Sequence, residues 1–172
     1  MAHFVRRSAL FALCAAGLAG CGFEPLLGRG GDSGDAIEQL AAIRIEPIPD
    51  RSGQVLRNAL LDRLTPQGQA SGARYVLRIR LQEPRQSILL RRDDIISRSS
   101  YSAQATFELR DAQGRRLFSG NSSFTTDYEI AASEFATRTS LENARDRVME
   151  LVASDIRNQL ALNLRQRQNA TR

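Results

Sequence analysis

Residues 74–83, RYVLRIRLQE, alternate in a two-residue period: Tyr75, Leu77, Ile79 and Leu81 on one side, Arg74, Arg78, Arg80 and Gln82 on the other. Side chains of an extended chain point to opposite faces in turn, so this is a strand with one apolar and one basic face. Val76 is the exception on the basic side. The apolar face requires a cover, and the polar one suits water or a polar partner. Pro84 interrupts the run, since proline donates no ladder hydrogen bond.

The pattern continues downstream. From Ile95 to Arg110, Tyr101, Ala103, Ala105, Phe107 and Leu109 share a face, and Gln104, Thr106, Glu108 and Arg110 the other. Asp111-Ala112-Gln113-Gly114 reads as a tight hairpin connection, with Gly114 able to take a positive φ. The returning strand, Arg115 to about Tyr128, carries Phe118, Ser122, Phe124, Thr126 and Tyr128 on one side, with Gly120 marking a bulge or a close backbone approach. Residues 86–92, QSILLRR, read as a further strand or a bulged edge, and Asp93-Asp94 as a turn.

Two helices supply the cover. In GQVLRNALLDRL (53–64), Val55, Leu56, Ala59, Leu60 and Leu64 recur at helical spacing, with Asp50 or Ser52 as the expected cap. From Ser133 to about Arg165 the apolar band is Leu141, Ala144, Val148, Leu151, Val152, Ile156, Leu160 and Leu164. A first strand is expected within Leu40–Ile48, ended by Pro47 and Pro49. The order strand, helix, antiparallel strands, helix predicts an α+β two-layer sandwich: a mixed or mainly antiparallel four-stranded sheet with two amphipathic helices on one face.

The N-terminus carries a different kind of signal. MAHFVRRSALFALCAAGLAGC has a basic start at Arg6 and Arg7, a short apolar stretch, and Leu18-Ala19-Gly20-Cys21. It is too short for a membrane span and has the layout of an export signal. Leucine, two small residues and cysteine resemble the lipobox of bacterial lipoproteins, in which the cysteine thiol is acylated and the signal cut before it. Cys21 is therefore the expected lipidation site and membrane anchor. The expected organisation is a signal peptide at 1–20, a lipidated N-terminus and glycine-rich tether at 21–36, one domain at 37–165 and a polar tail at 166–172.

Composition excludes much chemistry. All 24 basic residues are arginine, against 19 carboxylates, for a formal charge of +5. Cleavage would remove Arg6, Arg7 and the sole histidine, His3. Such a balance does not predict nucleic-acid binding. Beyond Cys21 the chain has no His, Cys or Lys. That removes histidine triads, thiol nucleophiles, the usual zinc sites, Schiff-base lysines and phosphate-loop lysines together. No catalytic residue, metal ligand or cofactor is expected, and an exported hydrolase is the least favoured reading.

The arginines remain. Arg85, Arg91, Arg92 and Arg98 flank Ile88, Leu89 and Leu90, a combination suited to gripping an amphiphile with an anionic headgroup. The competing reading is a charged edge that discourages sheet-to-sheet aggregation.

The Cys21-Gly22-Phe23 start after the lipobox, the Leu56-Arg57-Asn58-Ala59-Leu60-Leu61 segment, the Tyr75-Val76-Leu77 strand and the long C-terminal helix resemble the LptE (RlpB) family of lipopolysaccharide-assembly lipoproteins. The resemblance covers nearly all of the chain after the signal. It implies a sheet with two helices on one face, a place inside the lumen of an LptD-like outer-membrane β-barrel as a non-catalytic plug, and a part in barrel assembly and lipopolysaccharide insertion. It also implies lipopolysaccharide binding through basic residues near a strand or loop, carried here onto Arg91 and Arg92. Gly22, rather than aspartate, after the anchor is consistent with delivery to the outer membrane, lipid-anchored on the periplasmic side. The alternative is another outer-membrane structural or secretion-accessory lipoprotein.

Overall fold

The computed structural model describes residues 38–66, 68, 72–84 and 97–170. Its four strands are β1 (Ile43–Ile45), β2 (Tyr75–Gln82), β3 (Ser97–Asp111) and β4 (Arg116–Ile130). Its helices are α1 (Asp50–Leu64), between β1 and β2, and α2 (Glu134–Ala170), after β4. The sheet order is β1-β2-β3-β4. β1 pairs parallel to β2 through the α1 crossover, while β2–β3 and β3–β4 are antiparallel. This is the expected mixed four-stranded α+β sandwich.

Register follows from burial. Leu77 lies opposite Leu109 and Ile79 opposite Phe107, so the apolar sides of β2 and β3 form one surface. A one-residue slip would turn every one of these side chains to water. Both helices seal that surface: Leu56, Leu60 and Leu64 of α1 and Val148, Met149, Val152, Ile156 and Leu160 of α2 join the strand residues in one core. The helices run parallel. Arg51 pairs with Glu142 at 3.9 Å near both N-termini, and Arg63 with Glu150 further along.

Several local expectations change. β1 is only three residues long, because Leu40 enters the core from a helical turn at 38–41. No side chain caps α1; Pro49 occupies the N-cap position and Asp50 opens the helix. On α2, Leu151 is 46 % exposed, and Met149 and Ala153 are buried instead. Leu151 follows Leu141 and Val148 at the right spacings, but the band turns toward β4 and α1 at once. α2 also runs past Arg165 to Ala170. There Arg167 reaches strand β4 and donates to the Leu117 carbonyl.

That contact is one of a series. β4 is an edge strand, and α2 lies along it for its full length. Gln159 Nε2 donates to the Asn121 carbonyl at 3.0 Å, Ser140 Oγ accepts from the Glu129 N–H at 3.0 Å, and Thr137 Oγ1 accepts from the Ala131 N–H at 2.9 Å. A helix of 37 residues, about 55 Å long, thus supplies polar caps to an edge that would otherwise present a row of open main-chain groups. Gly120 makes the close approach possible. A Cβ there would stand 2.6 Å from both Phe107 Cζ and Gln159 Oε1. At the β3–β4 turn, Gly114 takes φ +80°, as a tight hairpin requires.

Candidate interaction surface: the outer face of the sheet

The side of the sheet turned away from the helices is mostly polar, with Val76 as an apolar exception. Alternation places Arg44 of β1, Arg78 and Arg80 of β2, Glu108 and Arg110 of β3, and Arg116 of β4 on it. The sheet is hollowed here. A concavity of about 500 Å³ is bounded by Arg78, Arg80, Thr106, Glu108, Arg116 and Asn121.

The arginines are not equivalent. Arg78 is fixed across the β1–β2 junction, with Nε 2.7 Å and Nη2 3.3 Å from the two oxygens of Glu46. That hydrogen-bonded guanidinium holds the Glu46 carboxyl below the usual carboxylate range and raises the Arg78 pKa in return. Arg110 Nη2 donates to Glu108 Oε2 at 2.6 Å, and Arg116 approaches the other oxygen at 3.8 Å. The Arg110 bond is the main cause of the lowered Glu108 pKa. Arg80 differs: it is exposed, and no carboxylate lies within ion-pair distance of it among the described residues. Its cross-strand neighbour is Thr106. On this face Arg80 presents an exposed guanidinium beyond the clamped Arg78, at the far end of the Arg110–Arg78–Arg80 row and rimmed by hydroxyl and amide groups. Planar forks of this kind suit carboxylate, phosphate or carbonyl oxygens.

A second polar group closes one end of the sheet. The Tyr101 hydroxyl donates to Glu83 Oε2 at 2.5 Å, Arg145 Nε lies 3.5 Å from the same oxygen, and the Arg145 guanidinium carbon is 5.6 Å from the Tyr101 ring centre. Burial, reinforced by Glu83, pushes the Tyr101 phenol up to about 12. These residues tie the exit of β2 and the entry of β3 to α2, beside a hollow of about 640 Å³.

Of the residues singled out from sequence, Cys21, Arg85, Arg91 and Arg92 lie outside the described residues. Arg98 is exposed at the start of β3, opposite Glu129, at the end of the sheet away from the Arg110–Arg116 pairing. By alternation it shares the outer face with Thr106 and Glu108, but it lies at the opposite end of β3 from the arginine hollow. Alternation identified Arg78, Arg80 and Arg110; it missed the clamp of Glu46 on Arg78 and the arrival of Arg116, which depend on strand order. The Glu83–Tyr101–Arg145 group had no sequence signal, since Tyr101 reads simply as a core residue. Among the described residues no group of three or more His, Cys, Asp or Glu side chains is placed to hold a metal ion, and no helix is long and apolar enough to cross a membrane.

Comparison with known proteins fits this architecture. A search of curated proteins returns no match. Among solved structures, a protein described as a lipoprotein from Caulobacter crescentus CB15 superposes with a TM-score of 0.68 at 24 % identity, covering 77 % of this chain and 97 % of that one. A minor lipoprotein from Acinetobacter baumannii gives 0.55 at 21 % identity, covering 70 % and 90 %. At these identities the likeness is one of fold. The model of the family described as "LptE: Lipopolysaccharide-assembly" matches residues 40–161, from the start of the core to the last third of α2. With most of the folded domain inside that match, the chain belongs to the LptE family of lipopolysaccharide-assembly proteins.

Proposed function

We propose that this protein is a non-catalytic plug and assembly factor for an LptD-like outer-membrane β-barrel and assists insertion of lipopolysaccharide into the outer leaflet. Family membership carries an outer-membrane, lipid-anchored location with it. The observation that supports the finer reading is the division of the sheet into two faces. One is sealed by both helices, whereas the other is hollowed, polar and arginine-rich. The lumen of a wide barrel is polar, so a plug needs an outer face of this kind. On this reading Cys21 is acylated and holds the domain at the periplasmic leaflet. Arg91 and Arg92, with Arg85 and Arg98 nearby, contact the anionic part of lipopolysaccharide.

Such a role asks for shape and hydrogen-bonding groups, not for a nucleophile or a metal. Depletion of the protein, followed by measurement of lipopolysaccharide at the cell surface, tests the proposal. Surface lipopolysaccharide should fall together with the level of properly assembled barrel. Normal surface levels with an intact barrel would overturn it and favour a structural or secretion-accessory role.

A further inference from the structure

The two ends of the sheet differ in what they present, and the end at which the anchor segment enters is basic. Residue 38 joins the fold beside the start of β2. Glu38 Oε1 lies 3.4 Å from Arg74 Nη2, and the Arg74 N–H donates to the Ala42 carbonyl at 3.0 Å. Tyr75 is in register with Asp111, and Arg110 with Arg116, so the β3–β4 hairpin projects from this same end. The C-terminal part of α2 arrives there as well, through Arg167 and the Leu117 carbonyl. Arg74, Arg110, Arg115, Arg116 and Arg167 therefore gather at one end, where Glu38, Glu108 and Asp111 are their acidic neighbours among the described residues.

Their pairing does not remove them from solvent. The side chains of Arg74, Arg115 and Arg116 are 65 %, 78 % and 63 % exposed. Asp111, by contrast, is only 11 % exposed and is spent on the turn, accepting from the backbone N–H groups of Gln113 and Arg115 as well as from Arg115 Nε. The acidic partner is folded inward and the guanidinium stays outside.

We infer that this end of the domain is a docking surface for the anionic phospholipid headgroups of the leaflet that holds the anchor. The connection between Cys21 and residue 38 can extend to at most about 60 Å. It attaches at this end, so the basic end is where the anchored segment enters the domain. A lipid anchor combined with a basic patch is a two-signal attachment, and arginines near an anionic surface each strengthen it by roughly fivefold. The contact rests on the acylation of Cys21. It uses the hairpin end and leaves the outer face of the sheet available to a protein partner.

The test uses the mature acylated chain reconstituted in vesicles of phosphatidylcholine alone or with phosphatidylglycerol. Gln113→Cys places a single labelling thiol at the hairpin, and energy transfer to a headgroup-labelled lipid reports its distance from the bilayer. Intact mass reports acylation separately, so loss of the anchor and loss of the basic contact give different results. The hairpin should lie closer to the anionic membrane and retreat in high salt. Arg115→Gln with Arg116→Gln should lower the docking equilibrium constant about twenty-five-fold while leaving the circular dichroism unchanged. Equal transfer in both membranes, or no effect of the double substitution, would overturn the inference. So would displacement by millimolar inorganic phosphate at constant ionic strength, which would indicate a discrete ion site in place of a membrane-facing surface.

Discussion

The Tyr101 hydroxyl donates a 2.5 Å hydrogen bond to Glu83, joining the last turn-out of β2 to the buried face of β3. Tyr101 is 8 % exposed, so this bond is formed largely out of water. Tyr101→Phe should cost about 1–2 kcal/mol, because the acceptor is a charged group that keeps Arg145 as its remaining partner. Chemical denaturation with an unchanged m-value measures this.

The same phenol predicts an alkaline limit. Its folded-state pKa is raised from 10.0 to about 12, so the neutral form is the one that the fold favours. The associated stability is fully present below pH 10 and is lost as pH rises through about 12. A stability profile across that window should slope downward in the native chain, and Tyr101→Phe should flatten it. An identical slope in both proteins would contradict the assignment.

Gly120 is expected to be intolerant of substitution. Gly120→Ala drives a methyl into the Phe107 ring and the Gln159 amide, each 2.6 Å from the new atom. A loss of about 1–3 kcal/mol follows from overpacking. Adding Phe107→Leu should recover part of it, since the crowding atom Cζ is then absent; thermal melting of the three variants decides.

Gln159→Ala isolates the edge-capping role of α2. The variant loses the 3.0 Å bond to the Asn121 carbonyl, at about 1 kcal/mol. It also opens part of the β4 edge. Faster amide hydrogen exchange near Asn121, with more self-association at high concentration, is the expected outcome.

The periodicities made much of this architecture legible. β2 and β3 alternate over most of their length because each has one buried and one wet face, Val76 and Ser102 being exceptions, and α1 carries a single apolar stripe. The misses share a cause. α2 packs against a strand and a helix together, so its buried arc is wider than one stripe, bringing in Met149 and Ala153 and leaving Leu151 out. β1 is too short for a period to establish itself. For the interaction face, sequence indicates which arginines point outward. It does not reveal which of them a carboxylate holds, since Glu46 and Arg78 are 32 positions apart and meet only through the parallel pairing of β1 with β2.

That distinction separates stability from binding on the outer face. Arg78→Gln should leave the denaturation midpoint nearly unchanged, as expected for an exposed, solvent-screened pair. Among the described residues Arg80 has no ion pair to lose, so Arg80→Ala should change stability by less than about 0.5 kcal/mol. If the hollowed face meets the barrel wall, Arg80→Ala should nevertheless weaken retention of the barrel in mild detergent.

The most direct measurement places a photo-crosslinking side chain at position 80 in the full-length lipoprotein, expressed in its own cells. Irradiation should yield a covalent adduct with an LptD-like β-barrel, whereas the same probe at the buried Leu77 position should not. A correctly anchored, folded protein that gives no barrel adduct from position 80 or from the neighbouring position 106, or that is captured by a secretion or cell-wall partner instead, would contradict the account.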